Sequence, residues 1–313
     1  MKTKSIRYLP DGGAEIVSLD VDEPGSGQVQ VEGTHCGICS WDIQTFKTGS
    51  EGPFAAPPGH EGVGHVTKLG PGVTGVEVGA RVAGGGFAGL RNVGAGSLIR
   101  IPDSDLANEH WVVEPVACVV TGVDTCRLKP ADRVALVGCG FMGLMILQVL
   151  LHSYADQVIA LDVDDSRLAL ARKLGAKETY NTTASDFASV KENLIARDVD
   201  IVIDTSGAQG GFDVSQDIVR RGGMLNLFGW IKGNTATFNP NIFHTRGITI
   251  VNSSPSGKLR ETFPAAIRLL DKGIVDLRPL VTHIVPIDEY PDFMGKLTKG
   301  NVDGYVKGVV ALS

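Results

Sequence analysis

Apolar and polar positions alternate along this chain in two different rhythms. Up to residue 125 the apolar runs are short and broken by glycine, and strands are predicted at 28–34, 62–69, 81–83 and 98–101. Turn clusters such as Pro24-Gly25-Ser26-Gly27 and Gly70-Pro71-Gly72 separate them at the spacing of a small barrel or sandwich. From Arg133 the texture changes to apolar strand, glycine turn, apolar helix, strand and charged helix, which is the alternation of a parallel α/β sheet. Strands are predicted there at 134–138, 158–162, 200–204, 223–228 and 248–252, with helical stretches between the first four. The tail from Val281 loses this period and reads as β-rich again. The expectation is an α/β protein, with a β-rich domain joined to a doubly wound parallel sheet.

Length agrees with that division, since 313 residues suit two domains at roughly 100–200 residues each. Glycine supplies 40 positions, about twice ordinary usage, while proline and charge are unremarkable, so the excess points to tight turns and not to disorder. A net charge of −6 and the absence of any basic run argue against a nucleic-acid partner. The longest nearly apolar stretch, 144–151, is eight residues with Gln148 inside it, against the roughly 20 needed to cross a bilayer, so no membrane span is expected. The first residues carry no apolar leader-like run, and a cytoplasmic location is expected. Five cysteines, an odd number in a chain large enough to need no staples, suggest thiols or metal ligands in preference to disulfides.

The chemistry of the second half concentrates in Val134-Ala-Leu-Val-Gly138-Cys-Gly140-Phe141-Met142-Gly143, a GxGxxG between a predicted strand and a predicted helix. In a glycine-rich chain the pattern alone is weak, but its register with strand and helix is informative. Gly138 permits a tight turn, Gly140 lets backbone approach a pyrophosphate, Gly143 allows helix and strand to pack closely, and the helix start at Phe141 and Met142 points N–H groups toward phosphate oxygens. The next strand ends at Asp162, where a carboxylate accepts hydrogen bonds from a ribose 2′-hydroxyl and repels a 2′-phosphate, favouring NAD over NADP. Arg167, five positions on, leaves contact with ribose, phosphate or solvent open.

In the first half three short segments belong together: Cys36-Gly-Ile-Cys39-Ser-Trp-Asp42, Gly59-His60-Glu61, and Val113-Glu114-Pro115. Each is bland alone, since a single CxxC lacks a partner pair and a single histidine is more often a satisfied polar group. Jointly they offer thiolate, imidazole and carboxylates, a donor set suited to zinc with one position left for water or substrate.

With the GCGFMG fingerprint, these segments resemble the zinc-dependent medium-chain dehydrogenase/reductase family, which includes alcohol, sorbitol and threonine dehydrogenases. The resemblance extends over essentially the whole chain, including Lys173-Leu-Gly-Ala176 and the Thr282 to Glu289 segment THIVPIDE. It implies a GroES-like catalytic domain over 1–125, to which 282–313 return, and a Rossmann domain over 126–281. It further implies Cys39, His60 and Glu114 as ligands of a catalytic zinc, Glu61 as a carboxylate able to exchange onto the metal, and Asp42 as the group orienting the histidine ligand. Cys36 is not expected to bind metal.

Two departures from the family pattern stand out. Trp41 and Gln44 occupy the positions of the usual proton-relay hydroxyl and histidine, leaving Glu61 and water as candidates for proton transfer. The four-cysteine lobe that holds a structural zinc is missing between 78–87 and 99–102, so one catalytic zinc and no structural zinc are expected. The implied activity is hydride transfer between NAD(H) and a secondary alcohol or ketone, such as a polyol, sugar or amino-sugar derivative, in a homodimer or tetramer. The same fold also serves metal-free quinone or enone reductases, and it permits nucleotide binding without catalysis. Weaker candidates are Trp41, Phe46, Phe54 and Trp230 as pocket walls, and the turns 204–207, 227–229 and 252–254 as cofactor contacts.

Overall fold

The computed structural model describes residues 1–50, 58–231, 235–253 and 259–312. The chain divides into two compact units, the first comprising Met1–Pro115, Ala266–Lys272 and Leu277–Ser313 and the second Val116–Ala265 and Gly273–Asp276.

The first unit begins with an antiparallel pair, β1 (Lys2–Tyr8) and β2 (Ala14–Asp20). It continues through β3 (Gln28–Gly37), α1 (Ser40–Thr48), β4 (Glu61–Leu69), β5 (Arg81–Ala83), β6 (Leu90–Gly94), β7 (Ile99–Arg100) and the start of α2 (Val113–Thr125). β3 is the longest of these strands and has two faces. Val29 and Val31 pack with Val66 and Val82, whereas Cys36 and Ile38 join Ile6, Tyr8, Phe87, Tyr290 and Met294 in a second cluster. Each fully buried aliphatic side chain contributes about 1.5–3 kcal/mol relative to an exposed one, so these clusters hold the strands that carry the polar site.

The second unit holds β8 (Arg133–Val137), α3 (Phe141–Leu151), β9 (Gln157–Asp162), α4 (Asp165–Lys173), β10 (Glu178–Asn181), α5 (Phe187–Ala196), β11 (Val199–Asp204), α6 (Gln209–Ile218), β12 (Val219–Leu227), α7 (Pro240–Arg246) and β13 (Thr249–Asn252). Its six strands are all parallel, in the order β10-β9-β8-β11-β12-β13. This is the doubly wound Rossmann order, with the direction of winding reversing between β8 and β11, and ligands of such sheets bind at that reversal beyond the strands' carboxyl ends. The central strands are continuous apolar runs, as burial on both faces requires.

α8 (Leu259–Asp271) follows, then β14 (Val281–Pro286), α9 (Tyr290–Leu297) and β15 (Lys307–Ala311). The last two strands complete a seven-stranded sheet, β14-β15-β3-β4-β5-β7, with β6 paired to β3.

Several elements depart from the pattern read along the sequence. The tail is not simply β-rich: β14 and β15 are parallel neighbours, parallel neighbours need a crossover, and α9 supplies it with Tyr290 and Met294 facing the core. β1, β2, β6 and β10 were outside the predicted strands, because their apolar alternation is diluted by Lys, Arg, Ser, Asn and Thr. The units divide between Pro115 and Val116, inside α2, and α8 is shared between them. The boundaries expected from the sequence lay at 125/126 and 281/282. Among the described residues no helix is long and apolar enough to cross a membrane.

Candidate metal and dinucleotide sites

Where β3 ends, the chain passes through Ile38 to Cys39, which has extended backbone and forms the N-cap of α1. Asp42, three residues on, completes a reciprocal capping box: its carboxylate accepts the Cys39 N–H at 2.8 Å, and the Cys39 sulfur faces the Asp42 N–H. Across the sheet, Gly37 pairs with Glu61 at the start of β4. A Cβ at Gly37 would lie 2.1 Å from the Glu61 Oε2, so only glycine leaves room for that carboxylate beside Cys39. One ligand atom each from Cys39, His60 and Glu61 lies within 4.8 Å of the others. Glu114, in the first turn of α2, sets its Oε2 3.9 Å from His60 Nε2. Three of the four expected ligands thus converge, and the fourth stands against the histidine ring.

The electrostatics of this cluster favour a cation. Burial pushes the Cys39 thiol above its usual range, and the Asp42 and Glu61 carboxylates push it further. A divalent cation among these groups reverses that balance and draws the proton from sulfur. Thiolate, imidazole and carboxylate form the mixed donor set zinc accepts, so the residues present fit the metal. Sequence reading missed Lys307 of β15, whose Nζ lies 2.5 Å from Glu61 Oε2 and donates to the Ile38 carbonyl at 2.8 Å. Burial alone would lower the lysine pKa, but Glu61 and Tyr305 outweigh it and hold Lys307 protonated. A lone lysine inside the apolar strand KGVVA was the available signal for a buried partner.

Asp42, expected to orient the histidine ligand, has its hydrogen bonds at the neighbouring cysteine and at a tyrosine: Oδ2 takes the Cys39 N–H and Oδ1 takes the Tyr8 hydroxyl at 3.0 Å. The reason is its place at the third position of α1, which aims the side chain back at the helix start.

In the second unit the GxGxxG turn joins β8 to α3, and each glycine meets a different constraint. Gly138 has φ +98, a conformation L side chains rarely adopt, and a Cβ at Gly143 would lie 2.0 Å from the Gly138 carbonyl oxygen. At Gly140, the N-cap of α3, a Cβ would meet nothing within 4 Å. Two glycines therefore serve the fold, and the third faces open space beside the first-turn N–H groups at Phe141 and Met142, a cradle suited to a pyrophosphate. Asp162, buried at the end of β9, accepts the Cys139 N–H at 2.5 Å through Oδ2 and the Asp164 N–H at 3.0 Å through Oδ1. This ties the carboxylate to the glycine turn while a lone pair remains on each oxygen. Arg167 Nε lies 3.9 Å from Asp164 Oδ2, so its charge is shared with a neighbouring acid. Thr205, within the 204–207 turn offered by the sequence as a cofactor contact, donates to the Gly138 carbonyl at 2.7 Å and braces the glycine turn from β11's end.

Among the weaker candidates, Trp41 and Trp230 are 57% and 83% exposed, whereas Phe46 packs against the core. Phe54 and Ser254 lie outside the described residues. In the 204–207 turn, Asp204 accepts both the N–H and the hydroxyl of Ser206, so its Oδ1 serves the turn itself.

Comparison with known proteins finds a family match for each half of the chain. The family model of zinc-binding dehydrogenases matches residues 142–272, and that of the alcohol dehydrogenase GroES-like domain matches residues 25–103. An L-threonine 3-dehydrogenase of Pyrococcus horikoshii is 30% identical, with 90% of each chain covered. D-arabinitol dehydrogenase 1 of Uromyces fabae is 28% identical over 90% of each chain. Among solved structures, an Escherichia coli oxidoreductase/dehydrogenase of unknown specificity superposes with a TM-score of 0.89 at 23% identity, covering 100% of both chains. The 2R,3R-butanediol dehydrogenase of Bacillus subtilis gives 0.84 at 24% identity, covering 99% of this chain and 100% of the other.

Proposed function

The chain belongs to the zinc-dependent medium-chain dehydrogenase family, and from that premise we propose that it is an NAD-dependent dehydrogenase of a secondary alcohol, with a polyol, sugar or amino-sugar derivative as substrate. The observation that carries this reading is the convergence of Cys39, His60 and Glu61 with Glu114 beside them. Cys39, His60 and Glu114 would hold the zinc, with Glu61 adjacent as an exchangeable carboxylate. When bound, zinc would supply Lewis-acid stabilisation of a substrate oxygen, and the nicotinamide would supply the hydride-exchange chemistry.

The remaining roles fall to the protein's own groups. The first turn of α3 binds pyrophosphate oxygens, Gly140 keeps that approach clear, and Asp162 binds ribose hydroxyls. A buried carboxylate at that point, with Arg167 shared by Asp164, supports NAD in preference to NADP. Lys307 balances Glu61 and anchors the Ile38 carbonyl just before Cys39, limiting the travel of both donor groups. With Trp41 and Gln44 at the relay positions, the proton leaves by a path that does not use a hydroxyl at 41 or an imidazole at 44. Relatives that act on arabinitol and threonine support a hydroxylated substrate. β13 ends the Rossmann sheet, and an edge strand supports assembly of two or more copies, because its unpaired backbone groups template pairing with another chain.

The test is cofactor reduction by zinc-loaded protein over a panel of secondary alcohols, polyols and sugar alcohols, with NAD and NADP in parallel. Turnover with NAD, and a kcat/KM for NADP at least ~10-fold lower, is expected from repulsion of the 2′-phosphate by Asp162. Tight NADH binding without turnover of any alcohol or ketone contradicts the reading and leaves a nucleotide-binding protein.

A further inference from the structure

We propose that the buried hydroxyl pair Tyr8 and Tyr290 is a positioning element for the Cys39 ligand, acting through Asp42. The inference rests on the reading of Cys39 as a zinc ligand and deepens it. Tyr8 ends β1, Asp42 sits in the first turn of α1, and Tyr290 opens α9, so three distant segments of the chain meet at one carboxylate. The Tyr290 and Tyr8 hydroxyl oxygens are 2.7 Å apart, and the Tyr8 hydroxyl donates to Asp42 Oδ1 at 3.0 Å. A carboxylate only accepts, so the direction is fixed: Tyr290 donates to Tyr8, Tyr8 to Oδ1, and the Cys39 N–H to Oδ2. Burial and the Asp42 charge both push the tyrosine pKa values up, which keeps each hydroxyl a donor.

Packing alone does not call for these hydroxyls. Phenylalanine would fill the same ring volume with no polar atom to desolvate, and a buried hydroxyl is unfavourable without a partner. Among the described residues the two hydroxyls have only each other and Asp42 as hydrogen-bond partners. Asp42 is fully buried, so the water that would otherwise saturate Oδ1 is excluded. With Oδ1 held by Tyr8, the carboxylate cannot turn, Oδ2 remains on the Cys39 N–H, and the capping box fixes the sulfur at the start of α1. Partners one bond removed from a metal ligand set its orientation in this way.

The test measures metal binding by chelator competition and the cobalt(II) spectrum of purified full-length protein, for wild type, Tyr8→Phe, Tyr290→Phe and the control Met294→Leu. Met294 belongs to the same buried cluster but makes no hydrogen bond to either hydroxyl, so it reports general loosening of the core. Tyr8→Phe is expected to weaken zinc binding ~10-fold and Tyr290→Phe less, with the thiolate-to-cobalt charge-transfer band reduced in the same order, while Met294→Leu leaves both unchanged. Should Tyr8→Phe fail to fold, Tyr290→Phe carries the test. Wild-type affinity and spectrum in the tyrosine variants, or an equal loss in Met294→Leu, overturns the positioning role while leaving the zinc site intact. A wild-type protein that takes up no zinc overturns the reading of the site itself.

Discussion

The three glycines of the dinucleotide turn look alike in sequence and do different work. A methyl group at Gly143 would meet the Gly138 carbonyl oxygen at 2.0 Å, whereas one at Gly140 would meet nothing within 4 Å beyond its own chain neighbours. Gly143→Ala should therefore lower stability by about 1–3 kcal/mol through overpacking, read as a fall in the thermal or urea midpoint. Gly140→Ala should leave the midpoint unchanged and weaken NADH binding, read by fluorescence titration, because the added methyl occupies the cofactor's side of the turn. Equal behaviour of the two variants would contradict that division. The glycines, Asp162, Cys39 and His60 were legible in the sequence because each belongs to a short local pattern tied to a strand end. Lys307, Tyr8 and Tyr290 were not: Lys307 contacts Ile38 across 269 positions and Tyr290 contacts Tyr8 across 282, and no local period reports such meetings. Asp42 was found but its bond to the Cys39 N–H was not, although the spacing Cys39-x-x-Asp42 before a helix carried the capping geometry.

Between elements, legibility followed burial. β8, β9 and β11 are apolar runs covered on both faces and were placed within a residue or so of their ends. β10, a half-buried edge strand reading Glu-Thr-Tyr-Asn, gave no such signal. What ties β10 into the unit is partly electrostatic: Arg197, capping α5, holds both oxygens of Glu178 at 2.7 and 2.8 Å and donates to Gln157 of β9 at 2.8 Å. The hydrogen bonds from Arg197 hold the Glu178 pKa below its ordinary 4.5. A carboxylate depressed on folding contributes stability above its unfolded pKa and loses it as pH falls through the folded value. Arg197→Ala should thus cost about 1 kcal/mol at neutral pH for this partly exposed pair, and the gap to wild type should close as the solution is acidified below 4.5. Urea unfolding at several pH values checks both the magnitude and the sign. A gap that persists unchanged in acid would mean that Arg197 acts through Gln157 and packing alone.

Over the whole molecule, two units with different secondary structure carry two different chemistries, the donor cluster in the first and the dinucleotide turn in the second. The change of rhythm near residue 133 announced this division, but the chain crosses between the units inside α2 and again within α8, where amphipathic periodicity continues and composition does not change. The proposed hydride transfer requires both sites, and the candidate metal site is the less secured of the two by local pattern, since its donor groups come from a helix cap, a strand start and a second helix. The measurement that tests the central claim most directly is the zinc content of purified, untagged protein beside a Cys39→Ser variant. About one zinc per chain in the wild type, lost in the variant, is the predicted result for a single site closed by three protein ligands and an open position. No zinc after reconstitution, or full occupancy in the variant, would contradict it.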